Sequence, residues 1–366
     1  MDSIEPTVYI AITDHGFGHA TRTAAVVAEI QRQCQAQGKQ IDIIITTTAP
    51  RWLLEEYISG EFIYRQRSFD VGVIQADSLQ VDRAATFAKI QSIRDRSASI
   101  IAEEVAFLHA NHVGLIIADI PPLVASIAAQ ANIPCWMVSN FGWDWIYRDW
   151  GGEFIEMADW IAELYGQSDR LFRLPFHESM SAFSQIQDVG LTGGYPRYAP
   201  AALRQKLGLI DRRPTALLTF GGLSLSQIPY HNLTKFPDWQ FVTFDRDAPD
   251  LPNLTRISKT TKLRPVDLMV VCDRLITKPG YSTLSEACRV QIPIVCLTRE
   301  GFVEAKTLIA GVENYAEHLI ISPAEFYTGD WSFLLTTLEP PKSAVPLDRD
   351  GETTIAAEVI AYLCGI

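Results

Sequence analysis

Long apolar runs, paired cysteines and a basic surface are all missing from this chain, and each absence removes a class of function. No apolar stretch approaches the roughly 18 residues that cross a bilayer, so no transmembrane segment is expected; peripheral contact with a membrane stays compatible with the sequence. The six cysteines (34, 135, 272, 288, 296 and 364) form no CxxC pair and no metal-ligand spacing. Several lie in apolar surroundings, Cys296 in PIVCL for example, as reduced core cysteines of a cytoplasmic protein do. The N-terminal MDSIEPTVYIAI lacks the basic start of a signal peptide. A formal charge of −12 argues against a nucleic-acid partner, which needs dense Lys and Arg. It does not exclude one nucleotide, because backbone N–H groups and a single cation can hold a diphosphate.

What is present is the composition of a folded protein. Its 366 residues exceed one ordinary core, so two domains are expected. The first half alternates apolar strands with helices: VYIAIT (8–13), helix 20–38, IDIIITTT (41–48), one long helix over 87–111, VGLIIADI (113–120) and PCWMVSNF (134–141). Continuous apolar strands joined by helices indicate a parallel sheet covered on both faces. The pattern restarts with TALLTFGG (215–222), WQFVTF (239–244), RLITKPG (274–280) and IPIVCLT (292–298). The expected division is an N-terminal domain over 1–195, a Gly/Pro-rich linker over 196–212, a second domain over 213–348 and a closing helix over 349–366. Two doubly wound α/β domains in tandem imply a ligand cleft between them, at the carboxyl ends of the strands.

The turn DHGFGHATRT (14–23) joins the first strand to the first helix. It is not the dinucleotide fingerprint, because Thr21 replaces the third glycine and the second strand ends in threonines. A histidine that faces a ligand can act as a base near neutral pH if a partner fixes its tautomer. His19 opens the helix, and Asp119 ends the strand LIIADI on the same sheet edge, so the two can form a base–carboxylate dyad. A plainer role also fits: His19 caps the helix and Asp119 satisfies local N–H groups. Arg22 follows one turn later, and His15 either shapes the turn or touches an acceptor.

In the second half, TKPGYSTLSEA (277–287) ends a strand and starts a helix that Ser282 or Thr283 can cap. The helix N-terminus and the Lys278 cation suit a diphosphate, and Glu286 sits at a reach suited to ribose hydroxyls. The same segment also reads as an ordinary capped helix with solvated charges. FGGLSLS (220–226) offers a second glycine-rich nest on the same sheet.

These residues resemble GT-B glycosyltransferases, in particular the branch containing MurG and the diacylglycerol glycosyltransferases; LITKPGYSTLSEA is similar to their donor motif and the GxGH turn to their acceptor-side turn. The glycosyltransferase-like N-terminal region of arabinose kinases is a closer resemblance, carried by HGFGHATR (15–22), VIQADSLQVDR (73–83), SNFGWDWIY (139–147) and LTFGG (218–222). The kinase part of those proteins has no counterpart here. The resemblance implies that Glu286 holds the donor ribose. Gly280, Tyr281, Ser282 and Thr283 would cradle the diphosphate, with Gly221 and Gly222 opposite and Lys278 beside them. His19 would be the catalytic base, Asp119 its partner acid, and the base of the nucleotide would lie against 257–264. Where relatives grip the donor sugar with Asp/Gln, this chain reads REGFVEAKT (299–307), which leaves Glu304 as the candidate. Gly18, His15 and Arg22 fall on the acceptor side.

Five of the eight tryptophans (136, 143, 145, 150 and 160) crowd one window, readable as an acceptor platform with Trp143, Asn140 and Asp144, or as core. No metal is expected: Asp245–Asp247 and Asp348–Asp350 mimic a DxD motif outside its context, and His109 and His112 have no third ligand nearby. The expected protein is a glycosyltransferase with no bound cofactor. Its donor is a nucleotide sugar, UDP-linked by resemblance, and its acceptor a sugar, lipid or small molecule. Two alternatives share this architecture, a UDP-sugar 2-epimerase and a catalytically silent nucleotide-sugar sensor.

Overall fold

The computed structural model describes residues 5–74, 81–221 and 227–365, the side chain of Lys259 excepted. The chain divides into two compact units. The first extends to Gly193 and regains the chain from Asp348 onward; the second holds Gly194–Leu347.

In the first unit the elements run β1 (Thr7–Ile12), α1 (Gly16–Gln37), β2 (Asp42–Thr46), α2 (Arg51–Glu55), β3 (Ile63–Arg65), α3 (Arg83–Asp95), α4 (Ser97–Ala110), β4 (Val113–Asp119), α5 (Leu123–Ala131), β5 (Cys135–Ser139), α6 (Trp143–Trp150), α7 (Phe154–Tyr165), β6 (Arg170–Arg173) and β7 (Ile186–Asp188). All seven strands are parallel, in the order β3-β2-β1-β4-β5-β6-β7. Val8, Ile10, Ile45, Leu115 and Ile116 are almost wholly buried. This is why the central strands read as unbroken apolar runs rather than alternating ones. The long helix expected over 87–111 is two helices. At Arg96 the backbone leaves helical geometry (φ −100, ψ 4), its guanidinium turns back to the Ser92 carbonyl, and the Ser99 hydroxyl donates to the Arg96 carbonyl. Serines that bond to nearby backbone compete with the helix in this way.

The second unit contains α8 (Pro200–Leu207), β8 (Thr215–Leu218), β9 (Gln240–Thr243), β10 (Leu254–Arg256), α9 (Pro265–Met269), β11 (Arg274–Thr277), α10 (Tyr281–Val290), β12 (Ile294–Leu297), α11 (Glu304–Tyr315), β13 (His318–Ile321) and α12 (Pro323–Tyr327). Its six strands are again all parallel, ordered β10-β9-β8-β11-β12-β13. Residues 196–212, expected as a linker, belong to this unit. Arg197 pairs with buried Asp267 at 2.6 Å, Leu203 of α8 is buried, and Arg204 donates to the Val271 carbonyl at 2.7 Å. The last helix, α13 (Gly351–Cys364), lies on α1 of the first unit; Gln33 reaches the Thr353 carbonyl and Tyr362 meets Trp136 edge-on.

Each sheet reverses its winding at one place, between β1 and β4 in the first and between β8 and β11 in the second. Loops part to either side there, so the carboxyl ends of those strands are where an open α/β sheet binds its ligands.

Candidate active site

At the first reversal, β1 and β4 run in register with Ile12 opposite Asp119, and the Thr13 N–H closes the ladder on the Asp119 carbonyl. The next residue, Ile120, is held at φ +70, a costly conformation for a β-branched side chain. The Tyr165 hydroxyl donates to the Ile120 carbonyl at 2.9 Å and helps fix this kink directly behind the carboxylate. Helix α1 starts earlier than expected, at Gly16, whose φ of +62 suits glycine, with His15 as its cap residue. His19 therefore occupies the first turn rather than the cap.

The dyad is formed. His19 Nδ1 lies 2.8 Å from Asp119 Oδ1, and both side chains are buried. Arg22, one turn further along α1, does not reach outward. Its Nε donates to Asp119 Oδ2 at 2.7 Å, Nη2 to Oδ1 at 2.5 Å, and Nη1 to Asn140 Oδ1 at 2.9 Å. Thr23 adds a fourth donor to Asp119, at 2.8 Å. Burial alone would raise the Asp119 pKa, but the Arg22 guanidinium and then His19 overrule it and hold the carboxyl well below the usual range. Arg22 and Asn140 were expected to touch an acceptor; at 2% and 0% exposure they lie under the histidine instead.

The tryptophan window is mostly core. Trp143, Tyr147 and Phe154 are buried and pack on one another, so the expected platform is a wall: Trp143 and Phe141 flank His19 at 6.3 and 5.8 Å between ring centroids. Asp144 is half-buried, and burial, then the Glu178 carboxylate, pushes it up to about 6. A Cβ on Gly142 would strike the Asp144 carboxylate and displace it. Gly18 accepts from Thr21 in the same first turn.

A second acid at this edge went unnoticed in the sequence. Asp70 is buried; Thr13 donates its hydroxyl to it, and the Asp14 N–H donates at 2.9 Å. Trp143 Nε1 donates to the same Thr13 hydroxyl at 3.1 Å. Burial lifts Asp70 to about 7, and the nearby Asp14 and Asp119 carboxylates add to that against the lowering bonds from Thr13 and Asp14. Its segment clamps the turn at two more points: the Val73 N–H donates to His15 Nδ1 at 3.3 Å, and Tyr147 donates to the Gly72 carbonyl. The available signal was a lone Asp and a Gly spaced among Phe69, Val71 and Val73, an apolar alternation with one acid turned inward.

At the second reversal the materials are different. Gly280, not Ser282 or Thr283, is the cap residue of α10, and no side chain caps the helix. Tyr281, Ser282 and Thr283 form its first turn, with no acidic residue among them, so the helix dipole is not locally cancelled. Gly221, at φ +80, follows β8, and a Cβ on it would sit 3.8 Å from Cε of Lys278, so the two glycine turns and the lysine converge. Gly222 lies outside the described residues. Glu286 is 3% exposed and accepts the Gly194 N–H at 2.9 Å, while Arg289 donates to the Gly194 carbonyl. Its carboxylate is thus committed to the chain in this conformation. Glu304 opens α11 at the same edge of the sheet, after β12, and is also buried. Among the described residues no group of three or more His, Cys, Asp or Glu is placed to hold a metal ion, and no helix is long and apolar enough to cross a membrane.

Two all-parallel doubly wound units in tandem, with chemistry-bearing residues at both reversals, are the GT-B fold of glycosyltransferases. The calicheamicin glycosyltransferase CalG4 shares it over 99% of each chain, with a TM-score of 0.66 at 15% identity. UGT89C1 of Arabidopsis thaliana, solved with UDP, shares it over 97% of this chain and 95% of its own, with a TM-score of 0.60 at 12% identity. In sequence, L-arabinokinase of Arabidopsis thaliana is 31% identical over 332 residues, 88% of this chain but 31% of that protein. The chain therefore spans about a third of the length of this curated relative. No protein-family model matches it.

Proposed function

We propose that this chain is a glycosyltransferase that moves a sugar from a UDP-linked donor to an acceptor hydroxyl. The observation that carries the reading is the buried His19–Asp119 pair at 2.8 Å, on the edge of a sheet where ligands bind. The carboxylate fixes the imidazole; the imidazole takes the acceptor proton as the oxygen attacks the anomeric carbon; the departing diphosphate is stabilised by the start of α10 and by Lys278. Glu286 would hold the ribose after releasing Gly194, and Glu304 would meet the donor sugar. The mechanism asks for no catalytic metal. The LITKPGYSTLSEA segment of the donor half resembles the MurG and diacylglycerol branch, and six scattered cysteines, none in a disulfide, suit a cytoplasmic enzyme.

The acceptor is a sugar, lipid or small-molecule alcohol, so the test begins with the donor. Purified protein is incubated with a panel of UDP-sugars, and UDP release is followed with and without pooled alcohol acceptors. Release is expected to fall at least about 100-fold in His19→Ala, the usual worth of a general base, with UDP affinity unchanged. Undiminished release in that variant would overturn the assignment. ATP consumption dependent on L-arabinose, with no UDP release, would transfer the protein to the activity for which its sequence relative is named.

A further inference from the structure

We propose that Arg22 is a positioning residue that holds Asp119 as the anion and thereby fixes the His19 tautomer, with Nδ1 protonated and Nε2 left as the base. The argument starts from one oxygen. Asp119 Oδ1 has two nitrogen neighbours, His19 Nδ1 at 2.8 Å and Arg22 Nη2 at 2.5 Å, and those two nitrogens are 3.0 Å apart. An arginine has no acceptor and does not deprotonate in proteins. If His19 Nδ1 were the acceptor of Arg22, it would face Asp119 without a proton, and one oxygen–nitrogen contact of 2.8 Å would join two acceptors unless the acid were protonated. Arg22 forbids that state, because its fork also spans Asp119 Oδ2 at 2.7 Å and Thr23 donates there as well. The 3.0 Å separation is then two donors sharing one carboxylate oxygen, not a bond between them.

Arg22 has a second effect, of opposite sign to that of Asp119. A cation this close to the ring disfavours the imidazolium, whereas the carboxylate favours it. The ring is faced by Asp119 from the end of β4, Arg22 from α1, His15 at 6.0 Å between centroids, and uncharged Phe141 and Trp143 from the segment after β5. Asp70 lies close enough for its charge and that of Asp119 to act on each other. The cavity bordering Arg22 and Asp119 is about 10 Å³, at or below the size that holds one water, so little solvent screens these charges. Asn140 and Ser139 take the rest of the guanidinium, at 2.9 and 3.2 Å, and keep it from swinging away. The result is a histidine whose Nδ1 proton is held by a strong anion, with its proton-accepting nitrogen on the side away from the pair.

The base role of Nε2 rests on the transferase reading; the tautomer does not, and it can be measured without any reaction. In protein carrying nitrogen-15 histidine, His19 is assigned by the signal lost in His19→Gln, and its two ring nitrogens are followed with pH. The expected result is a protonated Nδ1 and an unprotonated Nε2 in the neutral form. The midpoint should rise by about one pH unit or more in Arg22→Gln, a tenfold gain in proton affinity, and stay within about 0.3 of wild type in Arg22→Lys. A neutral form protonated on Nε2 would overturn the proposal using the wild-type protein alone, so a variant that fails to fold does not shield it. Equal midpoints in Arg22→Gln and wild type, or in Arg22→Gln and Arg22→Lys, would overturn it too. Absence of UDP release together with the expected tautomer would instead count against the transferase and leave this inference standing.

Discussion

The two sheet reversals have the same topology and are furnished in opposite ways. At the first, side chains dominate: His19, Arg22, Asp119 and Asp70 are all buried and hydrogen-bonded within a few ångströms of one another. At the second, glycine and backbone dominate: Gly221 and Gly280 open the turns, Gly280 caps α10 with no side chain, and Lys278 supplies the cation. The contrast separates two tasks. Moving a proton requires groups whose protonation is set by neighbours, which demands burial and exact partners. Holding a diphosphate requires N–H groups and positive potential, which a helix start supplies without any particular side chain.

If that division is right, the largest stability effects belong to the first reversal. Asp119→Ala would leave the Arg22 guanidinium buried without its anion, and breaking a buried pair on one side costs about 3–5 kcal/mol. Urea unfolding of the variant should show that loss in the transition of the first unit. A loss below about 1 kcal/mol would mean that the network is solvated and the contrast with the second site is false.

Asp70 gives the next largest effect, and it depends on pH. Its folded value, about 7, lies above its ordinary value of 3.8, so the native protein binds this proton more tightly than the unfolded chain does. The stabilisation it brings is complete below about pH 4 and is lost as the pH rises to 7, with a ceiling of about 4 kcal/mol. Asp70→Asn should flatten that slope. Equal pH dependence of the urea midpoints between pH 4 and 7, in variant and wild type, would remove Asp70 from the buried set.

The same contrast explains what the sequence made legible. Both sheets, both turns and the His19–Asp119 pair were readable, because buried parallel strands are long apolar runs and their carboxyl ends share an edge. Strands β3, β6, β7, β10 and β13 were missed. They are three or four residues long, carry arginines or partly exposed positions, and lie at or near the sheet edges, where no long apolar run marks them. The direction of Arg22 was also out of reach: nothing in HATRT separates a guanidinium that greets a ligand from one that lies under a carboxylate almost a hundred residues away. Asp70 escaped because its partner, Thr13, is an unremarkable strand-end threonine.

The second site should answer to mutation through affinity, with little change in stability. Lys278→Ala removes one charge-assisted contact, worth about 1.5–3 kcal/mol, so UDP binding by calorimetry should weaken at least about tenfold. The folded unit should lose less stability than the first unit loses in Asp119→Ala, because Lys278 is only partly buried. A large loss of stability would make Lys278 a structural residue like Arg22 and erase the distinction.

Gly221→Ala is the smallest and sharpest case, because it alters no functional group. Among the described residues, a Cβ there meets only Cε of Lys278 at 3.8 Å, an ordinary contact. The obstacle is the backbone: at φ +80 an alanine is strained by about 1 kcal/mol, and the chain can relieve the strain by moving the turn that follows β8. Moving that turn displaces its N–H groups from the place where Lys278 and the start of α10 converge. UDP affinity should therefore fall several-fold while Lys278 and every other side chain remain. An alanine variant that binds UDP as tightly as wild type would show that the turn contributes no backbone contacts, and the second reversal would then depend on side chains after all, as the first one does.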